Sequence, residues 1–384
     1  MDKISSFYQF LPGDKIDWEL IKKTLLELFY ENMEKTIQDT RWHAEGNVLI
    51  HTKMVCEELI KLNEFQNLLQ EEKLVVFLAA LFHDVGKTVT TKELGSEITS
   101  PNHGIIGSLM IRELLWRDYD LAGSEEYQAF REGICLLIRY HSTPVHEYAN
   151  LTKKVIKTSL NSSLTHYFNI KLLAILAKAD ILGRIGISGD EFMNNLELFT
   201  LEAMDLECYD KPFNFTDSYT KFQYLVGENI WQFQSLYNNH WGKVYLICGL
   251  PGTGKDTYIK KHFADLPIIS LDAIREEFKI SPLDDQSEVV EIAKERAKEH
   301  LREHRSFVWN ATNLTNLVRN KLLNLFHDYQ ASVKIFFLET SLKNNLERNK
   351  NRERCVDEKV IYKLLRNLNI PEAYEAEEVE WVCL

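Results

Sequence analysis

A glycine-rich turn lies between a short apolar run and the start of a helix, and it could hold a nucleotide phosphate. Gly249, Gly254 and Lys255 match the pattern G-x-x-x-x-G-K, with Gly252 between them, directly after the apolar residues 244–248. Glycines let backbone N–H groups surround a polyphosphate, the helix N-terminus adds a partial positive charge, and the lysine reaches the outer phosphates. The pattern therefore predicts a site for a nucleoside triphosphate, ATP or GTP, with Mg²⁺.

One position departs from the usual form of this pattern. Asp256 follows Lys255 where Ser or Thr normally supplies a Mg²⁺ ligand, and Thr257 comes next. A carboxylate offers Mg²⁺ a hard oxygen just as a hydroxyl does. We therefore expect Asp256 or Thr257 to face the metal of the bound nucleotide.

Two residues after the second strand of this region could carry phosphoryl transfer. Asp272 follows the predicted strand 267–270, and Arg275 lies three residues further along a helix. An aspartate at the carboxyl end of a strand beside the phosphate loop can accept the proton of an attacking hydroxyl. An arginine near it can hold an acceptor phosphate. These residues favour a phosphotransferase that acts on an alcohol.

A cluster of arginines near the C-terminus could cover the phosphate loop. Arg348 and Arg352 are four residues apart, so on a helix they share a face. Such a face would form a lid that neutralises the transferring phosphoryl group. Arg319 follows the strand that ends in Asn310-Ala-Thr-Asn313. The alternative for the arginine segment is an exposed charged helix without a role in binding.

The first half of the chain carries histidines and aspartates on apolar helices. His83 and Asp84 close the apolar run 74–82, His51 lies on an amphipathic helix, and Asp180 comes late in another apolar helix. Polar groups at the end of a buried helix are costly unless something binds them. A set of imidazoles and carboxylates suits Mn²⁺, Ni²⁺, Co²⁺, Fe²⁺ or Zn²⁺ better than Mg²⁺. The pattern predicts one or two divalent transition metals.

The elements that must position these residues differ between the two halves. Residues 43–236 show helical periodicity with almost no strand signal, whereas strands and helices alternate after about residue 242. The predicted helices of the first half are 47–62, 71–83, 104–117, 126–140, 152–160, 170–186 and 217–236. We therefore expect an all-α domain over 1–238 and an α/β domain with a parallel sheet over 239–384.

Composition limits the classes of partner. The chain has 384 residues, enough for two domains, and a net charge of −12, which argues against a broad basic surface for duplex DNA. Six scattered cysteines without a C-x-x-C pair favour reduced thiols and a cytoplasmic protein. The absence of a basic-then-apolar N-terminus and of an apolar run of about 18 residues predicts neither a signal peptide nor a membrane span.

The histidine and aspartate pattern of the first half resembles the HD phosphohydrolase superfamily. The matched residues are His51, His83, Asp84 and Asp180. His103 and His141 suit the branch with two metals, in which the doublet aspartate bridges them. Lys87 and Arg184 could bind substrate phosphate, and Arg184 would share a helical face with Asp180. His43 would flank the site without binding metal.

The second half resembles the P-loop 5′-hydroxyl polynucleotide kinases, through its phosphate loop, Asp272-x-x-Arg275, the strand end with Arg319, and the arginine lid. The resemblance implies Asp272 as general base and Lys255, Arg348 and Arg352 on the donor phosphates. We also expect Arg319 to contact the bound nucleotide. The two halves in this order resemble the bacterial HD-Pnk family of RNA end-healing enzymes, which implies RNA ends, or DNA ends, as substrates and a separate RNA ligase as partner.

Two other functions remain open on the sequence. One is an HD nucleotide phosphohydrolase fused to a kinase of a nucleoside or small metabolite, which the acidic net charge of −12 favours. The other is a binding module without catalysis, in which the first half is a degenerate effector pocket. The complete set of candidate metal ligands argues against the second.

Overall fold

The computed structural model of the chain describes residues 2–95, 97–187, 189–227, 229–281, 284–352 and 355–384. They form two compact units, the first comprising Met1–Leu121 and Glu126–Phe213, the second Ala122–Glu125 and Asn214–Leu384. The sequence analysis placed the division at residue 238. It lies earlier because the helix Ser218–Val226 packs with the second unit, where Lys221 Nζ donates to Ala373 O at 3.0 Å.

The first unit is mostly helical, as the sequence predicts. Its α-helices are α1 (Trp18–Lys23), α2 (Tyr30–Lys35), α3 (Val48–Leu59), α4 (Asn63–Gln66), α5 (Gln70–Phe82), α6 (Lys87–Thr90), α7 (His103–Arg117), α8 (Glu125–Tyr140), α9 (Leu151–Ser159), α10 (Ile170–Leu182) and α11 (Gly189–Asp205). Three short 3₁₀ helices span Ile4–Phe10, Thr143–Val145 and Leu160–Ser163. An antiparallel hairpin of β1 (Lys92–Leu94) and β2 (Glu97–Thr99), which the sequence analysis did not predict, follows α6.

Helices α3, α5 and α10 pack on one another and form the centre of this unit. Asparagine side chains cap the N-termini of α3 and α10. Asn47 Oδ1 accepts from Ile50 N, and Asn169 Oδ1 accepts from Leu172 N, both at 2.9 Å. Residues 74–82 of α5 are completely buried, so this helix is apolar all round rather than amphipathic. The central position of α5 places the residues that follow it, His83 and Asp84, inside the unit.

The second unit is an α/β domain. Its strands are β3 (Lys243–Cys248), β4 (Ile268–Ser270), β5 (Phe307–Asn310), β6 (Ser332–Glu339) and β7 (Glu378–Cys383). Its helices are α12 (Ser218–Val226), α13 (Lys255–His262), α14 (Leu271–Phe278), α15 (Ser287–Arg302), α16 (Asn316–Asp328), α17 (Leu342–Lys350) and α18 (Glu358–Arg366). The predicted helix 217–236 is wrong in its second half, because α12 ends at Val226 before Gly227.

The five strands form one parallel sheet in the order β4-β5-β3-β6-β7, as the alternating pattern predicts. Asn310, the last residue of β5, pairs with Ser270 on one side and Ile247 on the other. The carboxyl ends of β4, β5 and β3 therefore lie at the same level. Ligands of open α/β sheets bind at this edge, so the loops after these three strands form the candidate site.

Within the described residues, no helix is both long and apolar enough to cross a bilayer.

Candidate active sites

Five helices bring the predicted metal ligands of the first unit together. His51 lies in α3, His83 and Asp84 follow α5, His103 begins α7, His141 follows α8, and Asp180 lies in the last turn of α10. His51, His83 and Asp180 have no solvent-exposed surface. The six candidate ligands from the sequence thus meet inside the unit, and they fall into two groups that share one carboxylate.

The first group contains His51, His83 and Asp180. His51 Nε2 lies 3.0 Å from Asp180 Oδ1 and 3.3 Å from His83 Nε2. His83 Nε2 lies 3.8 Å from the same Asp180 oxygen. One ligand atom from each of the three residues lies within 4.8 Å of the others. This spacing suits three ligands of a single divalent cation.

The second group contains Asp84, His103 and His141. His103 Nε2 lies 3.4 Å from Asp84 Oδ1 and 3.2 Å from His141 Nε2, while His141 Nε2 lies 3.8 Å from Asp84 Oδ1. The other oxygen of Asp84 faces the first group, at 3.3 Å from His83 Nε2 and 3.6 Å from His51 Nε2. Asp84 therefore lies between both groups, with one oxygen toward each.

Backbone carbonyls help to orient all four imidazoles, and Glu45 Oε1, 2.9 Å from His51 Nδ1, also contacts one of them. Nδ1 lies near a carbonyl oxygen in each: His51 with Gly183 at 3.2 Å, His83 with Ala80 at 2.8 Å, His103 with Ser100 at 2.9 Å, and His141 with Ile138 at 2.7 Å. A proton on Nδ1 donated to the carbonyl leaves the Nε2 lone pair free. Because every Nε2 faces the shared space, the rings are oriented as metal ligands usually are.

A glycine lets α7 approach closely enough for His103 to reach Asp84. A Cβ on Gly86 would lie 2.1 Å from His103 O and 2.6 Å from Gly107 N. Contacts this short with backbone atoms cannot be relieved by moving a side chain, so only glycine fits. The glycine two residues after Asp84 is therefore part of the site, because it fixes the distance between the two helices.

These residues fit two divalent cations. Both carboxylate oxygens of Asp84 are buried, and Lys87 Nζ lies 2.7 Å from one of them, Oδ2. Burying a carboxylate is costly unless positive charge lies against it, and cations on the two sides of Asp84 would add to the charge of Lys87. Burial alone would raise the pKa of Asp84, but Lys87 and His83 hold it well below its usual range. Asp84 is thus an anion, as a bridging ligand must be.

Lys87 and Arg184 supply positive charge at the edge of the two groups. Lys87 Nζ lies 2.7 Å from Asp84 Oδ2 and donates to Gln38 Oε1 at 2.7 Å. Arg184 Nε donates to Asp180 Oδ1 at 3.1 Å, and its Nη2 binds the second oxygen of Asp180. Arg184 lies beyond α10, which ends at Leu182 rather than at the predicted residue 186. The two residues meet although they do not share a helical face.

The Glu45 side chain is buried beside the candidate ligands, and the sequence did not predict its contacts with them. Its Oε1 lies 2.9 Å from both His51 Nδ1 and His43 Nδ1, and its Oε2 accepts from Ile185 N at 2.9 Å. Burial lowers the pKa of His43 to about 4, so His43 is neutral, and its Nε2 lies 3.4 Å from Lys87 Nζ. Glu45 therefore orients the candidate ligand His51 directly. It also orients His43, which in turn contacts Lys87. Only its place in Trp-His-Ala-Glu, near His51, could have pointed to it.

The electrostatics of this centre favour a bound cation. Burial would lower the pKa of His51, but hydrogen bonds to Asp180 and Glu45 raise it overall. Burial and the neighbouring His103 lower the pKa of His141 to about 3, which keeps its ring neutral. The first group thus attracts positive charge, and the second offers neutral imidazole nitrogens to it.

In the second unit, the predicted phosphate loop connects β3 to α13. Its glycines 249, 252 and 254 all have positive φ, at 150°, 79° and 104°. A Cβ at Gly249 would lie 2.6 Å from Leu338 O, so the close approach of the neighbouring strand also requires glycine. The loop ends at Gly254, which begins α13 at Lys255. This is the strand–loop–helix arrangement that the sequence predicts.

Lys255 lies across the loop that precedes it. Its Nζ donates to Gly249 O at 3.1 Å and to Leu250 O at 2.9 Å. Burial lowers the pKa of Lys255 from its ordinary value to about 8. The ammonium is therefore charged at neutral pH and held at the N-terminus of α13, where phosphate oxygens bind in loops of this type.

Asp256 contacts the neighbouring strand rather than the loop. Asn310 Nδ2 donates to Asp256 Oδ1 at 2.7 Å, which connects the first turn of α13 to the end of β5. Thr257 is exposed. An aspartate and an asparagine placed together provide two hard oxygens beside Lys255, a combination that suits Mg²⁺. Asn310 is therefore a further candidate for the Mg²⁺ site, and the sequence did not predict a metal role for it.

Asp272 and Arg275 lie on the first turns of α14, directly after β4. Arg275 Nη1 donates to Asp272 Oδ1 at 2.6 Å, and its Nε donates to Gln286 Oε1 at 2.6 Å. Arg352 Nη2 lies 3.5 Å from Asp272 Oδ2. The Asp272 side chain is 69% exposed. Two arginines thus hold a carboxylate that is open to solvent at the carboxyl edge of the sheet.

The arginine segment lies against the phosphate loop. Arg348 Nη1 donates to Thr253 O at 2.8 Å, and Asn345 Nδ2 donates to Pro251 O at 3.0 Å. Helix α17 ends at Lys350, so Arg352 does not continue the helical face of Arg348 as predicted. Both arginines nevertheless contact the site, one through the loop and the other through Asp272. Arg354 of the same segment lies outside the described residues.

Arg319 differs from the predicted nucleotide contacts. It is completely buried in α16, and its Nε and Nη2 bind both oxygens of Glu375 at 2.7 and 2.8 Å. Its Nη1 donates to Asn313 O and Asn369 O. This guanidinium is used within the protein core, where it joins α16 to the segment before β7, and it is not available to phosphate.

Comparison with protein families supports this division of the chain. Residues 48–182 match the model of the HD domain, and residues 244–371 match AAA_33, described as an AAA domain. The chain is a fusion of an HD domain and a P-loop kinase-like domain. HD domains bind divalent metals, and the histidine–aspartate groups lie within or at the end of the matched residues. P-loop kinases use a nucleoside triphosphate with Mg²⁺.

Individual relatives cover only parts of the fusion. A multifunctional CCA protein from Psychromonas ingrahamii is 32% identical over 123 residues, which are 32% of this chain and 26% of that protein. The chain thus matches about a quarter of that relative's length. A gluconokinase from Sinorhizobium meliloti is 18% identical, with a TM-score of 0.28, over 38% of this chain and 83% of its own. Kti12 from Chaetomium thermophilum, in complex with ADP-AlF3, is 14% identical, with a TM-score of 0.28, over 36% and 88%.

Proposed function

We propose that the chain is a bifunctional RNA end-healing enzyme. The P-loop kinase-like domain would transfer the γ-phosphate of an NTP to a 5′-hydroxyl end. The HD domain would remove a 2′,3′-cyclic phosphate, or a 2′- or 3′-phosphate, from the other end. Cleavage of RNA that leaves a cyclic phosphate also leaves a 5′-hydroxyl, so one chain would prepare both ends for a separate ligase.

The observation that carries the proposal is the pair of histidine groups that share Asp84. Their six residues, His51, His83, Asp84, His103, His141 and Asp180, would hold two divalent transition metals. Two bound metals supply Lewis-acid activation of water and stabilise both the attacking and the leaving oxygen of a phosphate ester. Lys87 and Arg184 lie beside this centre and would bind the phosphate oxygens and offset their charge.

In the kinase half, the attacking group would be the 5′-hydroxyl oxygen. Asp272 would accept its proton while the bond from oxygen to the γ-phosphorus forms and the bond to the β,γ-bridging oxygen breaks. Arg275 would orient Asp272 and hold the phosphate of the acceptor strand. Lys255, Arg348 and Arg352 would offset charge on the donor phosphates, and Asp256 with Asn310 would hold Mg²⁺.

The exposure of Asp272 supports a polymer as the acceptor. Its side chain is 69% open to solvent, so a bulky strand could reach it. The second candidate is a kinase of a nucleoside or small metabolite joined to an HD nucleotide phosphohydrolase. The net charge of −12 favours this alternative, because RNA-binding proteins usually carry basic surfaces.

Transfer of labelled phosphate separates the two candidates. The wild-type protein would be incubated with γ-labelled ATP or GTP, Mg²⁺ and either a 5′-hydroxyl oligonucleotide or a panel of nucleosides and sugars. We expect label on the oligonucleotide. Label only on a small molecule would exclude a polynucleotide kinase. Oligonucleotides ending in a 2′-phosphate, with Mn²⁺ or Ni²⁺, test the HD half in parallel.

A further inference from the structure

Only some of the side chains in and beside the candidate metal centre of the HD domain are exposed to solvent. His51, His83, Asp84, His141 and Asp180 are buried, whereas the His103 side chain is 22% exposed and that of Arg184 is 15% exposed. His103, Arg184 and Lys87, whose side chain is 10% exposed, are therefore the members that a phosphate can meet from solvent. What lies next to Arg184 therefore bears on which substrates the centre accepts.

Aromatic rings lie directly beyond Arg184. Its guanidinium carbon is 5.4 Å from the centre of the Phe192 ring in α11, and the rings of Phe192 and Trp42 are 6.0 Å apart. The same guanidinium binds both oxygens of Asp180. One guanidinium and one ring thus connect a candidate metal ligand to Trp42. About a third of Trp42, 36% of its surface, is open to solvent.

The backbone around Trp42 is fixed by two loops that bind each other. Ala44 N donates to Ile185 O at 2.6 Å, and Ile187 N donates to Arg41 O at 3.0 Å. These bonds flank Trp42 on both sides in the sequence. Ile185 and Ile187 are themselves exposed, so apolar and aromatic side chains lie along this edge of the site, beside the half-exposed Arg41. A partly exposed indole on a backbone held in this way can bind a flat ligand at a lower entropic cost than an indole on a mobile loop.

We propose that Trp42 and Phe192 form a stacking platform for the nucleobase of the terminal nucleotide whose phosphate the HD domain removes. This inference rests on the proposed function and specifies the substrate of the same centre. Bases stack on aromatic side chains whatever their sequence, and a phosphate pairs with a guanidinium. Because Arg184 contacts both Asp180 and the Phe192 ring, a nucleotide with its phosphate at the metals would extend its base toward Phe192 and Trp42.

On such a platform, the nucleobase of the terminal nucleotide, and not only its phosphate, determines the phosphatase activity of the HD domain. Two oligonucleotides would be compared, both ending in a residue with a 2′-phosphate. One carries uracil on that residue, and the other carries hydrogen at C1′ in its place. The quantity measured is the ratio of kcat/KM for the two, in wild type, Trp42→Ala, Trp42→Phe and Trp231→Ala. Trp231 is a matched control, an exposed tryptophan of the second unit.

We expect wild type to prefer the end with the base and Trp42→Ala to lower that ratio roughly tenfold, mainly through KM, since stacking on one side chain contributes about that much. Trp42→Phe should keep most of the preference, and Trp231→Ala all of it. Absence of a preference in wild type would overturn the platform, as would equal losses on both oligonucleotides in Trp42→Ala. Hydrolysis of p-nitrophenyl phosphate but of neither oligonucleotide by wild type would instead overturn the proposed function on which the platform rests.

Discussion

The two candidate sites differ most in how far their reactive groups are buried. In the HD domain, His51, His83 and Asp180 have no exposed surface, whereas Asp272 of the kinase-like domain is 69% exposed. The ligands of a metal must converge on one point, and the candidate ligands of the HD domain have rings held inside the core by backbone carbonyls and Glu45. Phosphoryl transfer relies on positioning charge around a donor and an acceptor that both enter from solvent, which suits groups at an open edge of the sheet.

The difference extends to how each site compensates for its charges. Asp84 and Asp180 are buried anions, and Lys87 and Arg184 lie against them within the same core. In the kinase-like domain, Lys255 is held by two backbone carbonyls. Buried ion pairs are strongly destabilising when one partner is removed. Substitutions in the HD site therefore need to keep the shape of the side chain.

The largest expected effect comes from Asp84→Asn. The amide has nearly the same shape but cannot bridge two cations as an anion, so phosphatase activity should fall about 10³-fold, because the metals contribute several kcal/mol. Kinase activity in the same preparation should be unchanged. Asp210→Asn, at an exposed aspartate of the same unit, is the control. Loss of both activities in a folded protein would contradict two separate sites.

The complementary substitution is Asp272→Asn. It removes the proposed general base without changing the size of the side chain, and we expect kinase activity to fall by about 10²-fold or more. Phosphatase activity should stay at the wild-type level. Asp265→Asn, at another exposed aspartate of this unit, should change neither rate. A kinase rate within twofold of wild type would exclude Asp272 as the base.

Both sites contain parts that can be predicted from the sequence, because these parts depend on residues close together in the chain or on periodicity. The two fold classes follow from periodicity, because α5 and α10 are apolar helices and β3 to β6 are short apolar runs between helices. The ligand order His51, His83-Asp84, Asp180 predicts the metal centre, because each residue lies on or at the end of a buried helix. The phosphate loop can be predicted from its glycines and Lys255 alone, because they are close together in the sequence.

What the sequence did not predict depends on contacts between distant residues. Arg319 follows a strand in the expected place, but Glu375, 56 residues later, binds its guanidinium in the core. Glu45 contacts Ile185 across 140 residues, and no local pattern predicts such a hydrogen bond. The hairpin β1–β2 has strands of three residues each, too short for alternation to be recognised.

A smaller effect should come from Glu45→Gln, which tests how much the buried site relies on its outer residues. The neutral amide keeps a carbonyl oxygen but weakens the hydrogen bond to His51 Nδ1. Outer residues of metal sites typically contribute 10–100-fold, so we expect Mn²⁺ affinity to fall about tenfold. Titration of the metal-free protein with Mn²⁺ measures this. Glu64→Gln, at an exposed ion pair with Lys178, is the control, and equal affinities for all three proteins would remove Glu45 from the site.

In the kinase-like domain, the affinity for NTP should depend on pH through the charge of Lys255. Burial lowers its pKa from the ordinary lysine value to about 8, so the free protein carries this charge at pH 7 and loses it as the pH rises through about 8. Bound phosphate favours the charged form, so the affinity for NTP should weaken above pH 8, by up to about tenfold per pH unit. Nucleotide titrations between pH 7 and 9.5 would measure it. Lys255→Met should bind weakly with no such dependence, and a wild-type affinity that stays constant to pH 9.5 would show that Lys255 keeps its proton there.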